Sequence, residues 1–310
     1  MSLRVVVVAG PTACRKTELG LELAARLGGE IVCADSVQLL EGFQIGSAAP
    51  TSEERSRAPH HLFHAFPPEQ PPDAGAYQRA ADAVLAEIAA RGRLPILVGG
   101  TGLYLRALLD GLAEIPPVPL LVRERLRAEL EAAGVEVLWS RLVAADPTTA
   151  QAIQGGPRNT QRVLRALEVF EGTGTPMSTW HARQTRGRGY SPVVLVPEFP
   201  LDVLGPRLDA RLEAMLAHGF LAEVEGLLAR GLQRGDRAMK SLGYAELAAH
   251  LAGELPLAAA IEAIRRGHRA YAKRQRTWFR AVEGRHVLDA GSSQLVDHAL
   301  AALSGAAGWG

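Results

Sequence analysis

The sequence Gly-Pro-Thr-Ala-Cys-Arg-Lys-Thr at residues 10–17 constrains this chain more than any other feature. It lies between the apolar run Arg4–Ala9, which predicts a strand, and the amphipathic run Lys16–Leu27, which predicts a helix. It nearly matches the phosphate-binding pattern of glycine, four residues, glycine, lysine, and serine or threonine. In such loops, backbone amides and the positive end of the helix hold phosphate oxygens. We therefore predict a phosphate-binding loop made of Gly10, Pro11, Thr12, Ala13, Cys14, Arg15, Lys16 and Thr17.

One residue of the loop departs from the pattern, since Arg15 stands where the pattern has glycine. If the backbone requires a positive φ there, arginine costs about 1–2 kcal/mol. Its side chain must also turn away from the bound phosphates or contact them. Lys16 adds a positive charge to the loop, and the Thr17 hydroxyl is a candidate ligand for Mg²⁺ or a phosphate.

The first third of the chain alternates short apolar runs with helical patterns. Glu30–Ala34 and Leu94–Val98 read as strands, and Ala76–Arg91 reads as a helix. Alternation of this kind, with apolar strands, favours a parallel sheet covered on both faces. The predicted fold class is therefore α/β, with a P-loop NTPase-like parallel sheet flanked by helices.

The middle of the chain interrupts this pattern. After the proline-rich segment Ile115–Pro119, helical periodicity continues to about Trp180 without a convincing strand, and Val193–Val196 restores strand character. We therefore predict a helical insertion domain. The predicted limits are 1–113 for the first part of the core, 114–192 for the insertion and 193–310 for the second part of the core with basic C-terminal helices.

Charge and composition limit the kinds of partner that the protein is expected to bind. The net charge is only +1, but basic residues cluster. Arg158, Arg162 and Arg165 are predicted to share one helical face, and a C-terminal stripe comprises Arg266, Arg269, Lys273, Arg276 and Arg280. Basic stripes of this kind bind phosphate backbones, although each can also be an ordinary solvated helix face. The chain has only 2 cysteines and no apolar run long enough to span a bilayer, so we expect a cytoplasmic protein with no membrane partner.

Several further segments, taken together with the phosphate loop, resemble the tRNA dimethylallyltransferases, also called isopentenyl-tRNA transferases. The resemblance covers nearly the whole chain, and its segments share the order and spacing of that family. They are Gly10–Thr17, Ala34–Gln38, Ile45–Ala48, Pro59–Leu62, Leu97–Tyr104, Arg165–Val169, Gly243–Tyr244 and Tyr271–Arg280.

This resemblance implies a reaction and its participants. Members of the family transfer the dimethylallyl group of dimethylallyl diphosphate to the exocyclic N6 of the adenosine just 3′ of the anticodon, with the help of Mg²⁺. The phosphate loop then holds a diphosphate leaving group. The expected partners are dimethylallyl diphosphate and the anticodon stem-loop of tRNA, and we expect a monomer.

Catalytic roles follow from the same resemblance. Asp35, at the end of a predicted strand, matches the base that accepts the amine proton, although its alternative role is the N-cap of a helix that begins at Ser36. Arg211 matches the arginine that stabilises the leaving diphosphate, and Thr17 matches the Mg²⁺ ligand. The predicted tRNA-binding residues are Asp35, Ser36, Val37, Gln38, Thr101, Arg123, Gln161, Arg162, Val163, Leu164 and Arg165.

Other residues depart from the family or suggest different functions. Besides Arg15, the residues that differ from the family's usual ones are Leu40, Glu41, Ala49 and Asn159. His60, His61 and His64 do not have a persuasive metal-ligand spacing, and we predict a structural role for them. Two alternatives remain open: a small-molecule kinase that uses ATP at the phosphate loop, and a non-catalytic RNA-binding relative in which Arg15 impairs that loop.

Overall fold

The computed structural model describes residues 2–184 and 187–306, and it consists of a parallel sheet with helices around it. Its strands are β1 (Leu3–Ala9), β2 (Gly29–Cys33), β3 (His60–His61), β4 (Leu94–Gly99), β5 (Tyr190–Glu198) and β6 (His286–Asp289). Its first helices are α1 (Lys16–Leu27), α2 (Ser52–Arg57), α3 (Ala74–Ala90), α4 (Gly102–Asp110), α5 (Leu120–Ala133), α6 (Val135–Ala145) and α7 (Pro147–Ala152). The remaining helices are α8 (Thr160–Thr173), α9 (Met177–Arg183), α10 (Leu201–Ala217), α11 (Phe220–Ala229), α12 (Tyr244–Leu251), α13 (Leu257–Arg280) and α14 (Leu295–Ser304).

The sheet is a 6-stranded one in the order β3-β2-β4-β1-β5-β6, and every neighbouring pair is parallel. The central strand β1 explains the apolar run that precedes the phosphate loop. Val5 and Val7 face one hydrophobic core, and Val6 and Val8 face the core on the other side of the sheet. Because both faces of β1 are buried from Val5 onward, the run Val5–Ala9 is continuously apolar instead of alternating. The predicted α/β fold with a parallel sheet flanked by helices is confirmed.

The carboxyl ends of β1, β2 and β4 meet at one edge of the sheet. Beyond the strand ends, Ala34 N donates to Val98 O at 2.9 Å and Thr101 N donates to Ala34 O at 3.1 Å. Gly99 permits this approach, because a Cβ there would lie 2.2 Å from the Ala34 carbonyl. The segments that follow these three strands are therefore held side by side, where ligands bind in open α/β sheets.

The helix after the phosphate loop differs in one respect from its prediction. Leu19 and Leu23 are buried in the core beneath the sheet, as their spacing indicates. Leu27, predicted on the same face, is 37% exposed because it lies in the last turn before Gly28. Gly28 ends the helix in the left-handed conformation, with φ 64°, which glycine adopts without steric cost.

The chain forms two compact units, one made of residues 1–109 and 188–310 and one made of residues 110–187. The second unit contains helices α5 to α9, and residues 110–184 include no strand. Its core is a cluster around Leu126, Leu138, Leu142 and Leu167. The predicted limits of the insertion, 114 and 192, lie a few residues from this division, and β5 already begins at Tyr190.

The first unit has a further apolar core beside the sheet. Helices α10 to α13 and the segment after β2 enclose Phe43, Phe220 and Tyr244, whose rings pack against one another with Tyr244 between the other two. This core supports the segment that carries Ile45–Ala48. No helix of the described residues is both long and apolar enough to cross a membrane.

Candidate active site

The predicted phosphate loop connects β1 to α1 with a strained backbone. Ala13 and Arg15 both adopt positive φ, at 63° and 57°, and Gly10 has φ 143°. The left-handed conformation disfavours side chains with a Cβ, so the loop keeps its shape at an energetic cost. The Thr12 amide already has a hydrogen-bond acceptor within the protein, since it donates to Gln275 Oε1 at 3.0 Å.

Arg15 occupies the left-handed position with its side chain directed to groups outside the loop. Its Nε and Nη2 donate to the Glu18 carboxylate at 2.8 and 2.5 Å, and Nη1 donates to the Ala290 carbonyl at 2.8 Å. The pKa of Glu18 is lowered, mainly by this hydrogen bond. These contacts hold the guanidinium at the start of α1.

Lys16 lies within the cavity that the loop borders. Its ammonium group donates to the Pro11 carbonyl at 2.6 Å, which folds the side chain back over the loop. Burial, together with the nearby positive charge of Arg211, lowers the pKa of Lys16 to about 8, while Cys14 and Asp35 oppose the shift. An anion bound in the cavity would favour the charged form of this amine.

Arg211 extends from α10 into the same cavity. Its Nη2 donates to the Ser47 carbonyl at 3.4 Å, and burial lowers its pKa while the charge of Asp35 raises it. A second positive side chain with Lys16 in one cavity gives the site a strong preference for a multiply charged anion. The structure thus places in one cavity two residues predicted to contact the diphosphate, Lys16 and Arg211, and the predicted base Asp35.

Asp35 follows β2 and begins a turn. Its Oδ1 accepts from the amides of Val37 at 3.0 Å and Gln38 at 3.4 Å. Residues 36–39 form turns instead of a helix, so the predicted alternative of a helix cap is wrong in detail although the capping contact exists. Asp35 Oδ2 has no hydrogen-bond donor among the described residues. One oxygen therefore shapes the turn and the other remains available to a ligand in the cavity.

The segment after Asp35 is joined to the segment after β4. Ser36 N donates to Thr101 Oγ1 at 2.9 Å, and the two hydroxyl groups are 3.3 Å apart. Gln38 Nε2 donates to the carbonyls of Ser47 and Ala48 at 3.1 and 2.9 Å. These contacts bring four predicted tRNA-binding residues of the first unit, Ser36, Val37, Gln38 and Thr101, close to Asp35.

One cavity of about 640 Å³ is lined by residues 12–17, Asp35, Ser36, Val37, Gln38 and Arg211. Its positive side chains are Arg15, Lys16, Arg207, Arg211, Lys240 and Arg274. Its acidic side chains are Glu18, Asp35 and Glu54. Leu208, Met215 and Leu242 give it apolar wall area. A cavity with this lining suits a ligand that has a charged end and an apolar part.

The predicted tRNA-binding residues of the second unit lie on α5 and α8. Val163 is buried in the core of that unit, so its role there is packing. Arg123 and Arg165 both face Glu168, at 3.6 and 3.4 Å. Their charges are therefore partly compensated in the protein alone. The remaining predicted residues on α8 are Gln161, Arg162 and Leu164.

The basic faces of the protein differ from the sequence-based prediction in two respects. Arg158 does not share the face of Arg162 and Arg165, because it belongs to the separate 3₁₀ turn Gly156–Arg158 before α8 begins. On α13, Arg269 pairs with Asp209 at 2.5 Å and Arg276 pairs with Glu198 at 3.0 Å. The stripe therefore has fewer uncompensated charges than its sequence indicates. Those without an ion pair among the described residues are Arg266, Lys273 and Arg280.

The histidines after β2 make protein contacts. His61 Nε2 is 2.7 Å from Glu30 Oε2, and His60 Nδ1 is 2.7 Å from the Ala58 carbonyl. Arg91 also contacts the buried carboxylate of Glu30 at 2.7 Å. These contacts tie the edge of the sheet to α3 and account for two of the histidines structurally.

Sequence reasoning missed two polar residues that organise the site. Glu223 on α11 accepts from the amides of Gln44, Ile45 and Gly46 at 3.0, 2.6 and 3.0 Å, and from the Tyr244 hydroxyl at 2.7 Å. It thereby holds the segment whose Ser47 carbonyl contacts Arg211. No pattern around Glu223 indicates this role.

Gln275 is the second residue that was not predicted, although the sequence indicates that its side chain is unusual. It is 5% exposed and lies on the buried face of α13, between Ala272 and Phe279. A polar side chain at an apolar position of an amphipathic helix has to find buried partners. Gln275 contacts the Thr12 amide and the Gly100 carbonyl.

Comparison with known proteins agrees with these features. The family model described as IPP transferase matches residues 38–282. A tRNA dimethylallyltransferase from Rhodospirillum centenum is 48% identical over 284 residues, which are 89% of this chain and 88% of the relative. The tRNA dimethylallyltransferase 1 of Trichlorobacter lovleyi is 45% identical over 282 residues, which are 91% of this chain and 92% of the relative.

Two solved structures are similar over nearly the whole chain. A full-length tRNA isopentenylpyrophosphate transferase from Bacillus halodurans has a TM-score of 0.70 and 35% identity, covering 97% of this chain and 96% of that one. A eukaryotic dimethylallyltransferase acting on tRNA has a TM-score of 0.83 and 26% identity, covering 98% of this chain and 79% of that one.

The parallel sheet, the loop after β1 and the helices of the second unit define an α/β protein of the P-loop type with a helical insertion. The similarity in sequence and structure extends over most of this chain and of its relatives. The chain therefore belongs to the IPP transferase family, the tRNA dimethylallyltransferases.

Proposed function

We propose that this protein transfers the dimethylallyl group of dimethylallyl diphosphate to N6 of the adenosine 3′ of the anticodon in tRNA. One observation carries the proposal: the phosphate loop, Arg211 and Asp35 line the same cavity. The reaction needs an anion-binding side for the diphosphate and a proton acceptor for the amine. Membership of the family supplies the identity of the two substrates.

The donor diphosphate lies against the phosphate loop, with residues Gly10–Thr17 around it. Lys16 and Arg211 contribute positive charge where the diphosphate gains negative charge during transfer. The Lys16 ammonium exchanges its contact with the Pro11 carbonyl, now 2.6 Å long, for a diphosphate oxygen. Stabilisation that increases along the reaction lowers the barrier more than uniform binding does.

Asp35 accepts the proton. The adenosine N6 forms a bond to C1 of the dimethylallyl group, the bond between C1 and the diphosphate oxygen breaks, and one N6 proton passes to the carboxylate. Oδ2 is the oxygen that accepts it, because Oδ1 already accepts from the Val37 and Gln38 amides. The target base leaves its stack to enter the cavity, with Ser36, Val37, Gln38 and Thr101 beside it.

Mg²⁺ fits the residues at the loop. The described residues include no cluster of three or more histidine, cysteine or acidic side chains suited to hold a metal ion by themselves. Mg²⁺ is commonly bound by one or two protein oxygens together with substrate phosphates. The Thr17 hydroxyl would hold it here, and the ion would neutralise charge on the diphosphate.

The tRNA contacts extend to the second unit. We propose that Arg123 and residues 161–165, Gln161, Arg162, Val163, Leu164 and Arg165, form its surface for the anticodon stem-loop. Val163 supports this surface from the core and does not touch RNA, since its side chain is buried. We expect the protein to act as a monomer, which light scattering of the purified protein tests.

Nucleoside analysis of tRNA tests the function. The protein is incubated with unmodified tRNA, dimethylallyl diphosphate and Mg²⁺, and the digested tRNA is examined by mass spectrometry. Dimethylallyl adenosine next to the anticodon is expected. ATP turnover without tRNA would support the kinase alternative, and tRNA binding without transfer would support the non-catalytic one.

A further inference from the structure

The side-chain amide of Gln275 joins the two segments that border the cavity from β1 and β4. Its Oε1 accepts from the Thr12 amide at 3.0 Å, and its Nε2 donates to the Gly100 carbonyl at 3.0 Å. The side chain is 5% exposed. Both ends of one buried amide are therefore hydrogen-bonded to the backbone of two different segments.

In the proposed reaction, one of these two segments binds the donor diphosphate and the other faces the acceptor adenosine. Thr12 belongs to the phosphate loop. Gly100 precedes Thr101, whose hydroxyl accepts from the Ser36 amide at 2.9 Å next to Asp35. A single side chain from α13 thus links the segment that would hold the diphosphate to the segment that would face the adenosine.

Gly100 shows how closely this amide fits. A Cβ at residue 100 would lie 2.1 Å from Gln275 Nε2 and 3.3 Å from the Gly10 carbonyl oxygen. Any side chain at this position would displace the amide. The absence of a side chain is thus required by Gln275 and not by the φ angle, since Gly100 does not have a positive φ.

The neighbouring helical position completes the contact. Tyr271, one turn earlier on α13, lines the cavity. Burial raises the pKa of Tyr271, and the Thr101 and Gln275 side chains beside its hydroxyl oppose that shift. The face of α13 that carries Tyr271 and Gln275 therefore abuts the ends of both β1 and β4.

We propose that Gln275 is a positioning residue, which fixes the phosphate loop relative to the Ser36–Thr101 pair and so sets the distance between donor and acceptor. What the two segments hold rests on the proposed function. The Gln275 amide contacts the backbone of both segments, so it acts through them and not on the diphosphate itself. Its contribution is geometric: a misplacement of about 1 Å between reacting groups costs a factor on the order of 100 in rate.

The first experiment replaces Gln275 with methionine, which has a similar length but no amide. Binding of inorganic diphosphate with Mg²⁺ is measured by calorimetry, and transfer is measured by steady-state kinetics. We expect the Kd for diphosphate to rise by about tenfold, kcat to fall by ~10- to 100-fold, and the KM for tRNA to change less than about threefold. A merely structural role would instead lower the binding stoichiometry and leave the Kd of the remaining sites unchanged.

A matched control lies two residues further along the same helix. Thr277 is exposed, and its hydroxyl contacts only the Lys273 carbonyl of α13 itself. Thr277→Ala is expected to leave the Kd, kcat and KM at wild-type values. If it reproduces the effect of Gln275→Met, then a general disturbance of α13 explains both and the proposal is overturned.

A double-mutant cycle gives a second, independent measurement. Gly100→Ala should displace the Gln275 amide and weaken diphosphate binding by about tenfold in the wild-type background. In a Gln275→Ala background the same change should have an effect smaller than about threefold, because the amide is already gone. Additive effects would overturn the proposal. If Gln275→Met does not fold, Gly100→Ala alone serves as the test because it retains Gln275, and wild-type diphosphate affinity in that variant would overturn the proposal.

The outcomes separate this inference from the proposed function. If wild-type protein binds diphosphate and the Gln275 effects on its Kd appear, but no tRNA is modified, the proposed function fails and the positioning of the phosphate loop stands. If wild-type protein transfers the dimethylallyl group and Gln275→Met has the same Kd and kcat within about twofold, the function stands and the positioning role is wrong.

Discussion

The guanidinium of Arg15 and the carboxylate of Glu18 meet across the first turn of α1, with Nε 2.8 Å from Oε2 and Nη2 2.5 Å from Oε1. The same guanidinium reaches the Ala290 carbonyl at 2.8 Å. Arginine at a left-handed position normally destabilises a loop. Here its side chain has partners of its own, so the departure from the phosphate-loop pattern is accommodated without filling the loop.

Two substitutions separate the backbone and side-chain effects of Arg15. Arg15→Ala removes the contacts but keeps the cost of φ 57°, whereas Arg15→Gly removes both. We expect the glycine variant to be more stable than the alanine variant by ~1 kcal/mol in denaturant unfolding. Equal stabilities would show that the loop relaxes out of the left-handed conformation.

The activity of Arg15→Gly tests whether arginine impairs the site. We expect tighter donor binding or faster turnover, by about tenfold or less, corresponding to ~1.4 kcal/mol. The measurement is steady-state transfer across donor concentrations. A large loss of activity would mean that the contacts of Arg15 with Glu18 and Ala290 shape the diphosphate site.

Asp35→Asn is expected to abolish transfer while tRNA affinity stays within a few-fold of wild type. Asparagine retains the Oδ1 acceptor for the amides of Val37 and Gln38, so the turn is preserved, but it cannot accept the amine proton. Asp35→Ala is the comparison, because it removes the turn contact as well and should also lower thermal stability. Wild-type turnover in the asparagine variant would exclude Asp35 as the base.

The lowered pKa of Lys16 predicts that diphosphate binding depends on pH. Burial lowers the pKa of its ammonium group from 10.5 to about 8, so the free protein loses this proton as the pH rises through 8. Bound diphosphate favours the charged form, so binding takes up a proton above about pH 8 and weakens by up to ~tenfold per pH unit there. Calorimetry in buffers of different ionisation enthalpy measures the uptake.

Lys16→Met supplies the control for that measurement, because diphosphate has titrations of its own. The difference in proton uptake between wild type and Lys16→Met belongs to Lys16. Identical proton uptake in the two proteins would show that Lys16 stays charged in the free protein. The lowered pKa would then be wrong.

The salt dependence of tRNA binding tests the surface on α8. Removing Arg162 and Arg165 together should reduce the slope of log affinity against log salt by up to ~2, because each phosphate contact releases counterions. Arg165 shares Glu168 with Arg123, so its single substitution should contribute less than that of Arg162. Arg127→Gln, an exposed arginine on α5 outside the predicted surface, is the charge-matched control.

The parts of the site that follow local rules could be predicted from the sequence. A strand, a glycine and a helix start place Lys16 and Thr17 in a phosphate loop, and Asp35 follows an apolar strand that runs parallel to β1. The side chains that depend on distant packing could not be predicted. Nothing local to Gln275 states that Thr12 and Gly100 lie on either side of it, and nothing local to Glu223 states that three amides of the segment after Phe43 converge on it.

Basic patterns were the least reliable guide, for a physical reason. Helical spacing shows which arginines share a face, but it does not show which acidic residue of another helix faces them. Arg276 and Arg269 are compensated by Glu198 and Asp209, which come from β5 and α10. The sequence of α13 alone, with no acidic residue after Glu262, predicts a stronger charge than the folded protein presents.

The most direct test of the central claim counts both products of one reaction. Wild-type protein is mixed with dimethylallyl diphosphate, Mg²⁺ and unmodified tRNA, and the released diphosphate and the dimethylallyl adenosine are quantified in the same samples. We predict that they appear in a 1:1 ratio, only with tRNA present, and that the modification lies on the adenosine 3′ of the anticodon. Diphosphate release without modified tRNA, or modification of another nucleotide, would contradict the account.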